Sequence, residues 1–267
     1  MSTRGDCRES EAVPQLVGAG YTLLMYDEPL FLPAGDQALV VELGETISPE
    51  INRRVHDLMQ SLESQDIVGV TDLVPTYRSL LVQYDPMQVS YSGLQGSIAE
   101  IERSLVDRSE KKTRVVHIPT LYAGEYAPDL SFVAEHAGLT TEEVVKAHSG
   151  TNYLIYMIGF TPAFPYLGGL SEALVTPRLS TPRTETPAGS VGIAGSQTGV
   201  YPVASPGGWR IIGRTPLRLF DPEREPPSLL TAGDYVRFVP MSGEEEYLQA
   251  RKLVEKGEHQ AKIEIMQ

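Results

Sequence analysis

The feature that most constrains this 267-residue chain is a segment from Gly150 to Phe220 that is dense in glycine and proline. It holds 11 of the 24 Gly and 8 of the 20 Pro in the chain. Glycine permits backbone conformations that other residues rarely adopt, and proline fixes φ. The apolar runs from here onward are short and bounded by turns, which is typical of β-barrels and sandwiches. They lie at Leu154–Ile158, Val191–Ile193, Val200–Val203, Trp209–Ile212, Leu217–Phe220 and Tyr235–Val239.

The charge of this segment differs from that of the rest of the chain. It has no Lys, five Arg and two acids, Glu172 and Glu185, so it carries +3 while the remaining residues carry −16. A guanidinium presents a planar pair of donors that an ammonium group cannot match. The segment therefore favours a carboxylate or phosphate ligand. Its arginines are Arg178, Arg183, Arg210, Arg214 and Arg218.

Composition excludes several classes of protein. A net charge of −13 argues against a nucleic-acid or anionic-membrane partner, because both require clustered Lys and Arg. The single cysteine, Cys7, excludes an intramolecular disulfide framework. Residues 1–20 lack a signal-peptide pattern, and no run approaches 18 apolar residues. We expect a soluble cytoplasmic protein.

The N-terminal half predicts a small α+β sandwich in the order βαββαβ. Its strands are expected at 38–43, 68–74, 79–84 and 115–118. Ser48-Pro49-Glu50 marks the start of a first helix, with a hydroxyl cap, a proline and an acid in the first turn. Apolar residues at helical spacing follow in both helices. They are Ile51, Val55, Leu58, Met59 and Leu62 in the first, and Leu94, Ile98, Ile101 and Leu105 in the second.

Two short helices are predicted within residues 128–150. Asp129 opens the first and Gly138 suits its left-handed end, while Thr140 and Glu143 form a capping-box pattern for the second. A final helix is expected from Ser242 to about Lys256, followed by a frayed end. The predicted organisation is an extension at 1–20, an α+β domain at 21–113, a β-barrel domain at 114–243, and a helix and tail at 244–267.

Candidate binding residues cluster in the glycine-rich segment, but each has a structural alternative. The glycines from Gly189 to Gly199 could present amides to an anion, or could simply form tight turns between barrel strands; the run lacks the ending of a phosphate-binding loop. His148 lies at a helix end, where the dipole favours its protonated form, yet a capping histidine is the commoner outcome. The arginines beside Pro and Gly turns could equally form a solvated rim.

We predict that five residues project toward one concavity about 10–12 Å across, sized for a small ligand. No His, Cys or Asp companions stand at metal-ligand spacing, so no metal site is predicted. His148, Phe160 and Thr198 complete the set of candidates for binding a substrate or an anion. The five residues predicted to project toward the concavity are Arg183, Gln197, Tyr201, Arg210 and Arg214.

An ordered series of motifs resembles the allophanate hydrolase subunit 1 family over roughly residues 36–241. The series begins with Gly159-Phe160-Thr161-Pro162-Ala163-Phe164-Pro165-Tyr166-Leu167. It continues with Pro177-Arg178, Pro182-Arg183, Pro187-Ala188-Gly189-Ser190-Val191-Gly192-Ile193-Ala194-Gly195, Gln197-Thr198-Gly199-Val200-Tyr201-Pro202, Ser205-Pro206-Gly207-Gly208-Trp209, Gly213-Arg214-Thr215-Pro216 and Ala232-Gly233-Asp234-Tyr235-Val236-Arg237-Phe238.

The resemblance implies an α+β N-terminal domain joined to a cyclophilin-like β-barrel. It also implies one of the three components of a 5-oxoprolinase, which uses ATP to open 5-oxo-L-proline to L-glutamate. The other two would be the A subunit and a C subunit that resembles allophanate hydrolase subunit 2. An amide carbonyl is a poor electrophile, so phosphorylating its oxygen provides a leaving group and cationic donors stabilise the developing anion. The isolated chain is expected to be inactive.

Two other functions stay open at this point. One is a protein-interaction module that binds a histidine kinase and blocks its autophosphorylation, which requires only an exposed apolar surface. The other is a carboxyltransferase-like part of urea or allophanate metabolism, which is less favoured because urea carboxylase requires biotin and this chain has no biotin-carrying domain.

One position departs from the family pattern. The family motif usually reads Gly-Phe-x-Pro-Gly-Phe-Pro-Tyr-Leu, and Ala163 stands here in place of the second glycine. If that position requires positive φ, alanine costs on the order of 1 kcal/mol. The fold can absorb this cost, whereas activity is the property it puts in question.

Overall fold

The computed structural model describes residues 25–105, 113–258 and 261–266. The predicted extension at 1–20 lies outside the described residues. The N-terminal segment, residues 25–105, forms four strands and two helices. They are β1 (Met25–Pro33), β2 (Ala38–Gly44), α1 (Pro49–Gln65), β3 (Val70–Pro75), β4 (Ser79–Tyr84) and α2 (Tyr91–Ser104).

The four strands form one antiparallel sheet in the order β1-β2-β4-β3. Alternate residues of β2 and β4 are fully buried under the two helices, and the apolar positions predicted for α1 and α2 supply the other side of that core. The predicted order βαββαβ is wrong at both ends. An additional strand, β1, comes first, and the strand predicted at 115–118 belongs to a different sheet.

The local signals at the helix ends are confirmed. The Ser48 hydroxyl accepts a hydrogen bond from the Ile51 amide at 3.1 Å, with Pro49 at the first helical position. Thr140 and Glu143 form a reciprocal capping box at the start of the helix Thr141–Ser149. Gly138 ends the helix Leu130–Ala137 with φ of 66°.

The C-terminal segment, residues 113–258 and 261–266, contains the remaining elements. Its helices are α3 (Leu130–Ala137), α4 (Thr141–Ser149) and α5 (Glu244–Glu255). Its strands are β5 (Thr113–Thr120), β6 (Asn152–Ile158), β7 (Pro165–Gly168), β8 (Arg183–Thr186), β9 (Ser190–Ala194), β10 (Gln197–Val200), β11 (Ser205–Gly207), β12 (Arg210–Arg214), β13 (Tyr235–Pro240) and β14 (Ile263–Met266).

Eight of these strands form one sheet in the order β12-β9-β10-β7-β6-β13-β5-β14, and β8 pairs with β11 in a separate ribbon. Among the described residues, all strand pairs are antiparallel except β5 with β13. A bridge between Leu121, just after β5, and Arg214, at the end of β12, brings distant parts of the sheet together. The two edge strands, β12 and β14, do not pair with each other over the residues described for them. The predicted β-barrel is therefore not closed over the described residues, and the sheet is curled but open.

Two further sequence predictions are corrected here. The apolar run 217–220 forms no strand and makes one isolated bridge, from Phe220 to Ser228. The chain end, predicted to fray, instead contributes β14, which pairs with β5 along Ile263–Met266. No helix within residues 25–105, 113–258 and 261–266 is long and apolar enough to cross a membrane.

The two segments meet at the Tyr156 carbonyl. The β6–β7 register shifts between Ile155 and Met157, so Tyr156 lies at an irregularity in the ladder. Its carbonyl accepts hydrogen bonds from two side chains of α1, the Asn52 amide at 3.1 Å and His56 Nε2 at 2.9 Å. These buried contacts fix α1 against the larger sheet.

The larger sheet has two buried faces. Val191, Ile193 and Ile212 face the main core, whereas Ile211 lies on the other face with an aromatic cluster. Gly192 and Gly199 are paired on that second face, where a Cβ at Gly199 would lie 3.1 Å from the Trp209 ring. These glycines let the aromatic rings pack directly on the backbone. The cluster comprises Phe164, Tyr166, Tyr201, Trp209 and Ile211.

Candidate functional site

Arg183 and Arg210 converge on one carboxylate, that of Asp129. Arg183 Nη2 donates to both oxygens of Asp129, at 3.0 and 2.8 Å, and its Nη1 donates to the Trp209 carbonyl at 3.1 Å. Arg210 Nη1 lies 3.8 Å from the same carboxylate. The three side chains are held in place by one another, and they carry a net charge of +1.

Asp129 is positioned by β12. The Ile211 amide donates to Asp129 Oδ2 at 2.6 Å, and the Asp129 amide donates to the Ile211 carbonyl at 2.9 Å. Asp129 stands at the N-cap of α3, as predicted, but its side chain caps no helical amide. Its carboxylate is instead committed to the arginines. Asp129 lies outside Gly150–Phe220, so these two arginines have a counter-ion that the composition of their own segment does not show.

Arg210 is also held by an aromatic ring. Its guanidinium carbon lies 3.6 Å from the centroid of the Phe132 ring, and its Nε donates to the Pro177 carbonyl at 3.3 Å. The Arg210 side chain is 16% exposed. A partly desolvated cation over a ring face has a strong preference for this geometry. These contacts fix the orientation of the Arg210 guanidinium.

Tyr201 lies beside this pair, within the aromatic cluster. Burial raises the pKa of its phenol, although a hydrogen bond from the Trp209 backbone and the charges of Arg178 and Arg183 oppose that shift. The phenol is therefore protonated at neutral pH and can donate. A Cβ at Gly207 would lie 2.3 Å from the Tyr201 hydroxyl, so this close approach requires glycine.

Phe164 is the centre of the aromatic cluster. Its ring makes edge-on contacts with four other rings at centroid distances of 5.5–5.9 Å, a geometry that aromatic pairs prefer. These contacts connect the arginine pair, through Trp209, with the loop that precedes β7. The four rings are those of Phe160, Tyr166, Tyr201 and Trp209.

That loop, residues 159–164, has a strained backbone. Phe160 has φ of 66° and Ala163 has φ of 62°, in the left-handed region that side chains with a Cβ rarely adopt. The position at which Ala163 replaces the family's glycine therefore does have a positive φ. Phe160 is 78% exposed. Strain of this kind concentrates at functional sites.

Gln197 lies at the contact between the two segments rather than beside the arginines. Its side-chain amide donates to the Tyr77 hydroxyl at 2.8 Å. The Tyr77 ring packs against Tyr156 and Tyr166, at 5.2 and 6.1 Å. Burial raises the pKa of Tyr77. Gln197 therefore connects the N-terminal segment to the edge of the aromatic cluster.

Arg214 lies away from the arginine pair. It occupies the opposite end of β12 from Arg210, about 13 Å along an extended strand. Its guanidinium carbon lies 5.2 Å from the centroid of the Tyr126 ring. Arg214 also interacts with Tyr247: burial raises the pKa of that phenol, and the charge of Arg214 acts to lower it. Arg214 thus anchors α5 and does not share a small pocket with Arg210.

His148 and Thr198 lie in the core. His148 Nε2 is 2.8 Å from the Thr198 hydroxyl, which donates to the Gly192 carbonyl at 3.0 Å. Nε2 must therefore carry the proton, and Nδ1 accepts from the Tyr122 hydroxyl at 2.8 Å. Complete burial lowers the pKa of His148 to about 3. The prediction that His148 and Thr198 bind an anion is wrong, because both are fully buried and their hydrogen bonds are internal.

The expectation of one common pocket is not what the geometry provides. Arg183, Arg210, Tyr201 and Phe160 share one face with Asp129, Phe132 and the aromatic cluster; we call it the arginine–aromatic face. Two surface depressions of about 420 and 390 Å³ lie elsewhere and are lined by none of the eight candidates. Among the described residues, no group of three His, Cys, Asp or Glu side chains could hold a metal ion.

Comparison with known proteins gives a consistent set of similarities. Residues 29–230 match the family model described as carboxyltransferase domain, subdomain C and D. The chain is 44% identical to the B subunit of 5-oxoprolinase from Bacillus subtilis (strain 168), covering 80% of this chain and 92% of that protein. It is 42% identical to the B subunit of 5-oxoprolinase from Escherichia coli O157:H7, covering 77% and 93%.

Solved structures extend the comparison to longer chains. The crystal structure of TTHA0988 has a TM-score of 0.68 and 40% identity, covering 78% of this chain but only 40% of that one. The urea amidolyase of K. lactis has a TM-score of 0.73 at 22% identity, covering 89% of this chain and 16% of that one. This chain therefore spans less than half of each of these structures, and the second likeness concerns the fold alone.

Proposed function

Because the chain belongs to the family of 5-oxoprolinase B subunits, within the carboxyltransferase subdomain C and D proteins, we propose that it is the B subunit of an ATP-dependent 5-oxoprolinase. The complex would convert 5-oxo-L-proline, ATP and two molecules of water to L-glutamate, ADP and phosphate, one water opening the lactam and the other accounting for the hydrolysis of ATP. The observation that carries this proposal is 44% identity extending over 92% of a relative of that name. Its partners would be the A subunit and a C subunit that resembles allophanate hydrolase subunit 2.

The arginine–aromatic face supports this assignment chemically. Both 5-oxoproline and ATP are anions, and Arg183 with Arg210 carries one more positive charge than Asp129 neutralises. Asp129 and Phe132 hold the two guanidiniums in fixed orientations, so little reorganisation is needed when a carboxylate or phosphoryl oxygen arrives. The Tyr201 phenol is an additional neutral donor beside them. We propose these three side chains, those of Arg183, Arg210 and Tyr201, as the anion-binding group of this protein.

We also propose the finer organisation of the chain. Residues 21–113 would form the α+β domain, residues 114–243 a cyclophilin-like domain built on the open, curled sheet, and residues 244–267 the terminal helix and tail. A cytoplasmic location would follow from the role of the complex. The isolated chain would not hydrolyse ATP, because its sequence contains no self-contained nucleotide-binding motif.

The alternatives have less support. None of the relatives described above is named as a kinase inhibitor. The urea amidolyase likeness, at 22% identity, concerns the fold and not the reaction.

The test is a reconstitution with single-residue variants. The three subunits together should show 5-oxoproline-dependent ATP hydrolysis that this chain alone does not. Replacing Arg210 by Ala should reduce the affected rate or affinity by about 10–150-fold, because a charge-assisted hydrogen bond contributes roughly 1.5–3 kcal/mol. Arg210→Lys should restore little, since it keeps the charge without the planar fork.

The matched control is Arg218→Ala, because that side chain is 55% exposed and pairs with Asp221 at the surface. Its turnover should equal that of the wild type. Normal turnover of a folded Arg210→Ala complex would refute the role given to the arginine pair, and turnover by the single purified chain would refute the proposal that it is one part of a complex.

A further inference from the structure

We propose that β14 is the surface through which two copies of this chain associate, with their β14 strands antiparallel across a two-fold axis at Ile263. The paired strands join the two eight-stranded sheets into one continuous sheet. The occupant of this edge is therefore a second copy of the chain. The inference does not depend on the proposed function, because it concerns only the edge of the larger sheet.

The two edges of the larger sheet are finished differently. At β12, the Ile211 amide and carbonyl both hydrogen-bond to Asp129, and Arg214 exchanges two backbone hydrogen bonds with Leu121, at 2.9 and 3.0 Å. At β14, nothing in the described part of the chain pairs with the side of the strand that faces away from β5. β14 therefore presents an open strand edge, which is a template for pairing with another strand.

The pairing of β14 with β5 determines which backbone groups face the open edge. The His117 amide donates to the Lys262 carbonyl at 2.9 Å, so these two residues form a hydrogen-bonded pair of the antiparallel ladder. Such pairs alternate along the ladder with pairs that are not hydrogen-bonded to each other. The amides and carbonyls of Ile263 and Ile265 therefore point away from β5, and continuing the alternation gives Ala261 the same direction.

The side chains at this edge are apolar on one face of the sheet. Ile263 lies opposite Val116, which is fully buried in the main core, so Ile263 and Ile265 share the face that covers that core. The two isoleucines are nevertheless 43% and 54% exposed. A second copy paired at the axis brings Ile263 against its own equivalent and extends the apolar face across the interface.

The charged face of the strand selects the register. Lys262 and Glu264 alternate with the isoleucines, and Lys262 Nζ lies 2.5 Å from Glu264 Oε1. When Ile263 is opposite Ile263, Lys262 of each copy lies opposite Glu264 of the other, so both cross-strand pairs join opposite charges. Centring the pair on Lys262 or on Glu264 would instead place like charges opposite each other, which is destabilising. The strand is thus self-complementary in the register centred on Ile263.

The experiment measures the oligomeric state of the purified chain by sedimentation velocity over a range of micromolar concentrations. The wild type should form a dimer. Lys262→Glu and Glu264→Lys each turn two attractive pairs into two repulsive pairs, so each should weaken the dimer by about 10–100-fold. The matched control is Arg53→Glu, which reverses a charge at another surface pair, with Asp57, where the arginine is 71% exposed. It should leave the dimer unchanged.

Mixing the two charge variants tests the register itself. In the mixture, the two acidic positions of one chain lie opposite the two basic positions of the other, so a heterodimer should form with about the wild-type affinity. Its formation also shows that both variants are folded. Ile263→Pro tests the backbone: it removes an amide that faces the open edge, so it should abolish the dimer while the pairing of β14 with β5 persists.

A wild-type chain that stays monomeric would overturn the proposal, as would a dimer that both charge variants leave unchanged. Charge variants that lose the dimer and form no heterodimer when mixed would overturn the antiparallel register. If the wild type is monomeric and Lys262→Glu instead weakens reconstitution with the other subunits, the edge belongs to one of those subunits and not to a second copy.

Discussion

Acidification provides a direct test of the buried His148 network. The imidazole is neutral in the fold with a pKa of about 3, whereas in the unfolded chain it titrates near its ordinary value of about 6.5. Below pH 6.5 the unfolded chain therefore takes up a proton that the folded chain does not. The stability contributed by this group is complete above that pH and is lost as the pH falls toward 3.

The magnitude follows from the two pKa values. Between pH 7 and pH 5, linkage lowers the free energy of unfolding by about 2 kcal/mol for this single group, with a limiting slope of about 1.4 kcal/mol per pH unit. His148 is completely buried, so no reduction for solvent screening applies. Urea unfolding followed by the fluorescence of Trp209, the single tryptophan, measures this change.

The His148→Gln variant separates this group from other titrating residues. Glutamine keeps a donor toward Thr198 but cannot take up a proton, so the variant should lose about 2 kcal/mol less than the wild type between pH 7 and pH 5. The control is His136→Gln, since His136 is exposed and stacked on Phe132. Its pH profile should match that of the wild type. Parallel profiles for His148→Gln and wild type would refute the neutral, buried assignment.

Two packing predictions accompany this one. Asp129→Asn should lower the free energy of unfolding by about 2–4 kcal/mol, because it leaves two partly buried guanidiniums without a counter-ion. The control is Asp57→Asn, in the exposed pair with Arg53 at 4.0 Å, which should change the free energy of unfolding by less than about 0.5 kcal/mol. Equal effects in urea unfolding would contradict the role given to Asp129. Gly168→Ala should destabilise the protein by about 1–3 kcal/mol, because its Cβ would lie 2.1 Å from the Tyr156 ring. Gly96→Ala lies within α2, where a Cβ meets no neighbouring atom, and should stabilise the protein by up to about 1 kcal/mol. Melting temperatures that change in the same direction for both variants would contradict this pair of predictions.

The helices were predictable because their signals are local. Ser48, Thr140 with Glu143, and Gly138 each act within four residues, and the structure confirms all three. The strand β1 was missed because Met25–Pro33 contains acids and prolines without clear alternation. The openness of the larger sheet is a property of pairings between distant strands, which no local pattern encodes.

The site was predictable in residue type but not in arrangement. An arginine-only segment pointed to Arg183 and Arg210, yet their counter-ion Asp129 is 54 residues from one and 81 from the other. Asp129 itself was visible in the sequence as an acid at a helix start, and such an acid can bind side chains instead of capping the helix. His148 and Thr198 were misassigned because a sequence does not reveal that a polar pair is sealed in the core. The most specific local indication of backbone strain was Ala163 in the place of the family's glycine, and the positive φ at Ala163 agrees with that indication.

The parallel pairing of β5 with β13 has a consequence for how the protein is made. Val115 pairs with Tyr235, so 120 residues separate the two partners, and the other neighbour of β5, β14, comes later still. At about 5–20 residues per second, β5 leaves the ribosome roughly 6–24 s before it can join the sheet. The N-terminal segment has all four of its paired strands by Tyr84 and can fold in that interval. A nascent chain paused before Tyr235 would thus carry the complete N-terminal sheet and an eight-residue strand, β5, with both edges unpaired.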